Sequence, residues 1–598
     1  MGLDDHPANS KPYSGSGGLC RKKQFENGPC PHPLVPYHCC TIQRATRMLG
    51  TTVLVVGGGP VGLTIAIDLA WRGIDVTVVE LRAAGEPPNV KCNQVSARSM
   101  EIYRRLGLAK KLREGGLPAD YPIDVVSSTS MTGIELSRLS FPSRNGRLAG
   151  EKALDSSWPT PEPSHRINQT YFEPILFAHA ALQPRIRIIN RTAFESYTQD
   201  EGGVVAQCRN LDTGETTPIA CNFMIGCDGG ASKIRKMIGG NFVGTPEIQR
   251  VQSTYIHAPA LMKLLRGKPA WMYFTLNPRR CGTAIAIDGK DNWNIHNFLY
   301  NGEPTFDSID RDWAIREILG VGPDFHYEII SKEDWMGRRL VSDKFRERRV
   351  FICGDAGHIW IPAGGYGMNA GIADAADLVW MIAAVIGGWA QTGILDAYEA
   401  ERQPITEQAS QIITDVALKV MKQRREVPPE IEIPGPSGDE VRAKLGKQAH
   451  ELEIGQQCAA GLNFGYFYNN SPIIAYDGEP HPGYSITEFT SSTVPGCRAP
   501  HFWLSDRRSL YDALGPYYTV IRIDPVVDVS SMITAADRRG VPLFVLDVDA
   551  PEAKSLYARK LTLVRPDQHV AWRGDETPNS PLELIDLLRG AAGAHMVT

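Results

Sequence analysis

The sequence predicts a multidomain α/β protein built around a sheet that binds a dinucleotide. Three observations predict it. A strand, a glycine-rich turn and an apolar helix follow one another over residues 53–69, a second glycine-rich turn follows a strand at 350–352, and a strand-rich segment lies between them at about 246–335. At 598 residues the chain is too long for one hydrophobic core, so two or three domains are expected.

The first turn, at residues 53–62, has the spacing of a dinucleotide-binding motif. Gly57 permits the tight bend, Gly59 lets the backbone approach a pyrophosphate, and Gly62 lets the helix pack closely on the strand. Glu80 ends the next strand, where a carboxylate accepts hydrogen bonds from a ribose and repels a 2′-phosphate. This motif alone does not distinguish FAD from NAD.

Composition and charge restrict the partners. With 42% hydrophobic and 22% charged residues, the chain is an ordinary globular protein, and its net charge of −4 argues against a nucleic-acid surface. The longest apolar stretch, residues 378–390, is shorter than the ~20 residues of a membrane span and is expected to be a buried helix. No Cys-x-x-Cys pair occurs among the 12 cysteines, which favours a reduced, cytoplasmic setting.

The chain divides into four predicted regions. Residues 1–48 are rich in Pro, Gly and Ser and are expected to be a disordered extension; the spacing of Cys30, His32, His38, Cys39 and Cys40 fits no standard zinc module, so no metal is predicted. Residues 49–415 should form the dinucleotide domain, with a mostly β substrate domain inserted at about 246–335. A linker with helices should occupy 416–480, and a small α/β domain 481–598.

Three motifs carry a resemblance to a known family: the first turn, the Cys227-Asp228-Gly229 turn, and the long block from Gly354-Asp355 to Met368-Asn369. Together they resemble the single-component FAD-dependent aromatic hydroxylases of the p-hydroxybenzoate hydroxylase fold. The resemblance implies a Rossmann-like FAD-binding domain that carries an inserted, mostly β substrate domain.

The C-terminal residues 495–504 and 563–574 resemble the thioredoxin-like domain of the phenol, 2,4-dichlorophenol and 3-(3-hydroxyphenyl)propionate hydroxylase branch. Similar domains occur in polyketide-tailoring hydroxylases. Because the region has no Cys-x-x-Cys, we expect it to serve packing or dimer contacts, and we expect a homodimer.

The family resemblance implies roles for individual residues. Asp355 should hydrogen-bond the ribityl chain, Arg98 and Gln169 should contact the ribityl-phosphate region, and Asp228 should brace the flavin. Backbone N–H groups at 365–369 should face the flavin ring. The full set expected to bind the cofactor is Gly57, Gly59, Pro60, Val61, Gly62, Glu80, Arg98, Gln169, Asp228, Gly229, Asp355, Pro362, Gly365, Gly367, Met368 and Asn369.

The resemblance also implies an activity. NAD(P)H would reduce FAD, O2 would form a C4a-hydroperoxyflavin, and a small phenolic substrate would be hydroxylated. No second dinucleotide fingerprint separates NADH from NADPH. A polyketide hydroxylase, a decarboxylating hydroxylase, an epoxidase and an FAD-bound scaffold without turnover remain alternatives.

Candidates for the substrate site come from the inserted segment. Ionising a phenol with a pKa near 10 at pH 7 costs about 4 kcal/mol, so the site needs a base or a stabilising field. Tyr273, His296 and Trp293 are the candidate catalytic residues, although Tyr273 is equally expected in a core strand and His296 fits a structural role better. Arg280 is expected in a solvated turn. His358, beside the flavin turn, is a candidate to wedge the flavin ring, as is Trp360.

Overall fold

The computed structural model describes residues 48–591. The expected disordered extension and the cysteines and histidines at 30–40 therefore lie outside the described residues, apart from Met48. The strands are β1 (Leu49–Gly50), β2 (Val53–Val56), β3 (Val76–Val79), β4 (Gln94–Val95), β5 (Val125–Ser128), β6 (Glu135–Leu139), β7 (His165–Arg166), β8 (Ile186–Ile189), β9 (Thr192–Gln199), β10 (Val204–Asn210), β11 (Thr216–Cys221), β12 (Phe223–Gly226), β13 (Phe242–His257), β14 (Met272–Thr275), β15 (Gly282–Ala286), β16 (Asn292–Phe298), β17 (Glu328–Lys332), β18 (Trp335–Ser342), β19 (Arg346–Glu347), β20 (Val350–Ile352), β21 (His358–Ile359), β22 (Tyr518–Arg522), β23 (Leu543–Asp547), β24 (Leu561–Val564) and β25 (Val570–Gly574).

Helices cover the sheets and form most of the connection to the C-terminal domain. They are α1 (Pro60–Trp71), α2 (Ala97–Arg105), α3 (Ala109–Glu114), α4 (Arg144–Leu148), α5 (Gln169–Ala181), α6 (Lys233–Met237), α7 (Arg311–Leu319), α8 (Tyr366–Ile386), α9 (Asp396–Arg425), α10 (Pro436–Gln457), α11 (Ala460–Phe464), α12 (Leu510–Ala513), α13 (Ser530–Arg539), α14 (Pro551–Leu556) and α15 (Pro581–Leu588).

A six-stranded sheet forms the centre of the dinucleotide domain, with the strand order β19-β20-β12-β2-β3-β8. Its pairs are parallel except for β19 with β20. The strands β2, β3, β12 and β20 are fully buried, as expected for parallel strands covered on both faces. Strand β12 lies between β2 and β20, so the strands that lead into the two glycine-rich turns are next-nearest neighbours.

Helix α8 follows the second turn and runs through the core. By length and composition it is the one helix in residues 48–591 that would be able to cross a membrane, yet 83% of its most apolar window is buried inside the protein. The expected buried helix at 378–390 is therefore present, although it begins earlier, at Tyr366, and ends at Ile386.

A nine-stranded sheet forms the substrate domain, in the order β21-β18-β13-β16-β15-β14-β5-β6, with β17 paired to β13. It is larger than the predicted insertion at about 246–335, because β13 begins at Phe242 and β18 continues to Ser342. Strand β5 also joins it, pairing in parallel with β14. The sequence did not predict this pairing because β5 lies more than 140 residues before β14, in a segment rich in Ser, Pro and Gly.

The predicted boundary at residue 415 falls inside the 30-residue helix α9, so it does not coincide with the end of a secondary-structure element. Beyond α10 and α11, the C-terminal domain has a mixed four-stranded sheet in the order β23-β22-β24-β25, with the predicted hairpin formed by β24 and β25. The observed architecture agrees with the predicted fold class of a dinucleotide-binding domain, an inserted β domain and a C-terminal α/β domain.

Candidate active site

Steric contacts explain two of the three glycines in the first turn. A Cβ on Gly57, whose φ is +107°, would lie 2.2 Å from the carbonyl oxygen of Cys227, and a Cβ on Gly62 would lie 2.0 Å from that of Gly57. Gly59 differs, because nothing lies within 4 Å of its Cβ position and it caps the N-terminus of α1. The turn therefore leaves backbone open to a phosphate at the positive end of a helix.

The two glycine-rich turns pack against each other. Gly354, with a φ of +61°, has its Cβ position 3.0 Å from the side chain of Val61 in the first turn. Gly371 of α8 would place a Cβ 2.6 Å from Val61 and 2.8 Å from the Cα of Gly354. Backbone segments almost 300 residues apart in sequence thus form one continuous cleft wall.

Asp355 faces this cleft. Its side chain is exposed to solvent but has protein on most sides, as expected for a carboxylate at the bottom of an open cleft. The surrounding protein partly desolvates the carboxylate and so raises the pKa of Asp355. Burial, and then the charge of Asp355, raises the pKa of the neighbouring Cys92 thiol to about 12. No protein donor within residues 48–591 hydrogen-bonds the Asp355 side chain, which leaves both oxygens free to accept hydrogen bonds from a ligand.

Glu80 stands at the end of β3, beside the first turn. One of its oxygens accepts a 2.5 Å hydrogen bond from the N–H of Gly58, and the other accepts from the N–H and Nε of Arg82. These bonds fix the carboxylate against the turn. A carboxylate has about four acceptor positions, so capacity remains for a ribose hydroxyl.

Asp228 and Gly229 follow β12. One Asp228 oxygen accepts hydrogen bonds from the backbone N–H groups of Lys233 and Ile234 and so holds the start of α6. The other oxygen is buried and has no partner within the described part of the chain. Since buried acceptors are normally satisfied, this oxygen fits a donor supplied by a ligand or a water.

The residues before α8 form the second half of the expected cofactor site. Gly364 and Gly365 both have positive φ values, of +69° and +72°, and the Gln94 side chain donates a hydrogen bond to the Gly364 carbonyl. Asn369 accepts from the Ser96 N–H at 2.8 Å and donates to the Gly365 carbonyl at 2.7 Å. Asn369 therefore holds the turn in place through its side chain.

The remaining residues of the predicted set differ in their surroundings. Pro60 is the first residue of α1, Pro362 is exposed, and Gly367 has open space at its Cβ position. Met368 is buried in a core cluster that also includes Leu63 of α1, so its side chain packs the helix.

Arg98 and Gln169 both hydrogen-bond other residues of the protein, and their expected contacts with the cofactor stay a prediction. The buried Arg98 donates to Glu101 at 3.0 Å and to the carbonyl of Asp567 in the C-terminal domain at 2.6 Å. Gln169 donates to Glu173 at 2.8 Å. The partner at position 567 is separated from Arg98 by 469 residues, a contact that no local sequence pattern reveals.

His358 does not face the flavin turn. It is fully buried and bonded to Asp374 of α8 at 2.7 Å, so the expectation that it wedges the flavin ring is wrong. Burial alone would raise the pKa of Asp374, but His358 and Arg402 outweigh it and lower that pKa to about 2. The sequence analysis missed Asp374 and Arg402, and only their place in buried helices distinguishes them from surface charges. Trp360 lines a small cavity of about 40 Å³ with Tyr366.

The substrate sheet separates the three candidate catalytic residues. Tyr273 and Trp293, with ring centroids 6.3 Å apart, lie on the face that packs on α7, where a Cβ on Gly282 would meet Ile318 at 2.3 Å. His296 lies on the other face, since it follows Trp293 by three residues on β16. The structure therefore does not gather the three around one substrate ring.

The His296 face is the one that turns toward the cofactor cleft. Asn294 on this face donates to the carbonyl of Val90, and the segment from Val90 leads to Gln94 at the flavin turn. Burial, with the charge of Arg424, lowers the pKa of His296 to about 4, so the ring is neutral at pH 7 and is a weak proton acceptor.

Arg280 is not a solvated turn residue, so that expectation is wrong. Only 2% of its surface is exposed, and its guanidinium pairs with Glu303 at 2.8 Å. It also lies over the rings of Tyr300 and Trp313. These contacts give Arg280 a packing role.

Tyr273→Phe is expected to leave the hydroxylation that the family resemblance implies unchanged and to lower the free energy of unfolding by about 1 kcal/mol, because the Tyr273 hydroxyl accepts a buried hydrogen bond from the Ala270 N–H. Chemical denaturation and product formation would be measured together. A slower reaction with intact flavin and unchanged stability would return Tyr273 to the list of catalytic candidates.

The residues fit FAD. The open backbone at Gly59 and the exposed carboxylate of Asp355 belong to the two turns that pack together, and Asp228, with an oxygen that has no partner in residues 48–591, lies beside Gly57. Residues 50–412 match the family model described as FAD binding domain, and residues 492–594 match that described as aromatic-ring hydroxylase, C-terminal. The chain therefore belongs to the FAD-dependent monooxygenases of the aromatic-ring hydroxylase family and is an FAD-binding oxidoreductase.

Several relatives show the range of the family. The chain is 31% identical to the FAD-dependent monooxygenase apdD of Emericella nidulans (88% of this chain, 87% of the relative), 30% to a putative polyketide hydroxylase of Streptomyces halstedii (88% and 93%), and 28% to phenol 2-monooxygenase of Pseudomonas sp. (91% and 93%). Among solved structures, the rebeccamycin biosynthetic enzyme RebC with reduced flavin superposes with a TM-score of 0.82 at 33% identity, covering 91% of this chain and all of that one. These relatives support the family without selecting its phenol hydroxylase branch.

Proposed function

We propose that this protein hydroxylates a phenolic aromatic ring with NAD(P)H and O2. The observation that carries the proposal is the meeting of the two glycine-rich turns beside a sheet face that presents His296, Asn294 and Phe274. Such a site holds a cofactor and an aromatic ring next to each other in one buried space.

The chain's own residues would bind and orient the cofactor and would polarise the phenolic substrate. Asp355 would accept hydrogen bonds from ribityl hydroxyls, and the N-terminus of α1 would bind the pyrophosphate. When bound, FAD supplies the redox chemistry that activates O2 with electrons from NAD(P)H. Arg424 lies over the ring of Phe298 at 3.8 Å, and its charge helps lower the pKa of His296. The same positive charge would favour an ionised phenol, which is the more reactive form.

A polyketide hydroxylase is the second candidate function. It is favoured by the putative polyketide hydroxylase and by RebC, whose solved structures include one with bound 7-carboxy-K252c. A fused aromatic substrate and a single phenol use the same chemistry and differ in the volume that the substrate face must accept. For the rest of its biology we propose a cytoplasmic homodimer that binds neither nucleic acid nor membranes.

The purified holoprotein tests the proposal. We expect NADH or NADPH oxidation to be stimulated by single-ring or fused phenols, with a product that is heavier by one oxygen atom. A decarboxylating reaction would release CO2 in addition. A flavin-bound protein that oxidises no nicotinamide and forms no oxygenated product with any phenol would instead be a scaffold.

A further inference from the structure

Arg166, on β7, is a buried cation without a partner among residues 48–591. Only 4% of its surface is exposed, and its Nη1 is fully buried with no hydrogen bond. Within residues 48–591 no N–H of this guanidinium donates to a protein acceptor and no carboxylate pairs with it. Buried charged groups are normally paired, so this arrangement leaves five donors for something that the chain does not supply.

Two other buried arginines show the contrast, whereas Arg424, which lies over the ring of Phe298, resembles Arg166 in having no ion pair among residues 48–591. Arg402 pairs with Asp374 at 2.9 Å, and Arg498 pairs with Glu101 at 2.6 Å. The acid whose charge acts on Arg166, Asp155, is already held by both of its oxygens on Arg147, at 2.9 and 2.7 Å. Burial lowers the pKa of Arg166 to about 10, which means that the folded protein favours an added negative charge beside it.

The position of Arg166 connects it to the active site. Strand β7 pairs with β4 in a register that sets Arg166 opposite Gln94, the residue that bonds the flavin turn at Gly364. The guanidinium carbon lies 4.3 Å from the ring centroid of Trp271, beside β14 of the substrate sheet, and 5.6 Å from that of Phe141. Arg166 therefore stands between the flavin turn and the substrate sheet.

We propose that Arg166 is the specificity-determining residue that binds a carboxylate on the aromatic substrate. A planar guanidinium matches the two oxygens of a carboxylate, and the rings of Trp271 and Phe141 hold its plane in place. This inference rests on the proposed function, because it names the class of substrate: a phenol that also carries a carboxylate.

Two matched pairs of phenols test the inference by binding rather than by turnover. Rhein and chrysophanol are fused phenols that differ by a carboxylate in place of a methyl group, and p-hydroxybenzoate and p-cresol differ in the same way. Titration into the holoprotein, followed by calorimetry and by the flavin spectrum, gives each dissociation constant. We expect the wild-type protein to prefer the carboxylate member of at least one pair by about 10- to 100-fold, the range for hydrogen bonds to a charged group.

Three variants test whether Arg166 causes the preference for the carboxylate member. Arg166→Met should abolish it while the neutral member still binds, Arg166→Lys should keep part of it, and Arg185→Met, which removes an exposed arginine paired with Asp75, should keep all of it. Circular dichroism confirms folding in each case.

Several outcomes would overturn the inference. They are equal binding of both members by the wild-type protein, binding of neither carboxylate, and a preference that survives in Arg166→Met. Product analysis with neutral phenols is independent of these titrations, so hydroxylation without carboxylate preference would refute only the role of Arg166. Carboxylate preference without hydroxylation would refute only the proposed function.

Discussion

Asp355→Ala is expected to give a folded protein that has lost its FAD. The carboxylate follows β20 in a short helical turn, faces the cleft and bonds no protein donor within the described residues. Each hydrogen bond that a ligand hydroxyl donates to a charged carboxylate contributes about 1.5–3 kcal/mol, so the loss of one or two weakens FAD binding by roughly 10- to 1,000-fold or more. The measurement is the dissociation constant of FAD for the apoprotein, from flavin fluorescence.

The stability of the apoprotein separates this role from a structural one. Because burial raises the pKa of Asp355, the ionised side chain destabilises the protein without ligand, and Asp355→Ala should leave its midpoint of thermal unfolding unchanged or higher. Asp355→Asn keeps the shape and one acceptor, and it should bind FAD with intermediate affinity. An Asp355→Ala protein that keeps full yellow colour would contradict the assigned role.

Arg565→Met should lower the free energy of unfolding by about 3–5 kcal/mol, because it leaves buried carboxylates without their cation. Arg565 is fully buried and bonds Asp377 of α8 at 2.8 Å, Glu401 of α9 at 2.5 Å and Asp567 at 2.9 Å. These three acids lie close enough together to suggest a metal site, yet the guanidinium bonds all of them. The prediction that the chain binds no metal is therefore unchanged, and we assign the cluster to the attachment of the C-terminal domain.

The pH dependence of unfolding provides the specific test of this cluster. Without Arg565 the buried carboxylates have raised pKa values, so the folded variant binds more protons than the unfolded chain and gains stability as the pH falls. The difference from the wild-type protein should therefore be smaller at pH 5 than at pH 8. Arg559→Met removes an exposed arginine of the same domain and should change little. A cost that does not vary with pH would indicate lost packing in place of lost charge compensation.

Local patterns predicted much of the fold. The turn at 53–62, the second turn at 354–369 and the hairpin of β24 and β25 each lie within a short segment, where glycine geometry and apolar alternation suffice. The pairing of β5 with β14 and the continuation of α9 past residue 415 depend on distant contacts. Helix propensity alone did not reveal α9, since Pro404 lies inside it.

The cofactor residues and the substrate residues of the site also differed in how far the sequence could predict them. The glycines of the first turn could be assigned from their spacing in the motif, and steric contacts in the structure account for two of them, Gly57 and Gly62. The substrate residues could not, because strand alternation shows which residues share a face without showing which face turns to the cofactor. Arg166 was not predicted at all, since an arginine is ordinary in sequence and becomes informative only when it is buried without a partner.

Titration of the apoprotein with FAD tests the central claim most directly, namely that the two glycine-rich turns form one cofactor site. Absorbance and fluorescence would be followed to saturation. The account predicts one FAD per chain, with a shifted visible spectrum, in the folded wild-type protein. A folded chain that binds no FAD would contradict it.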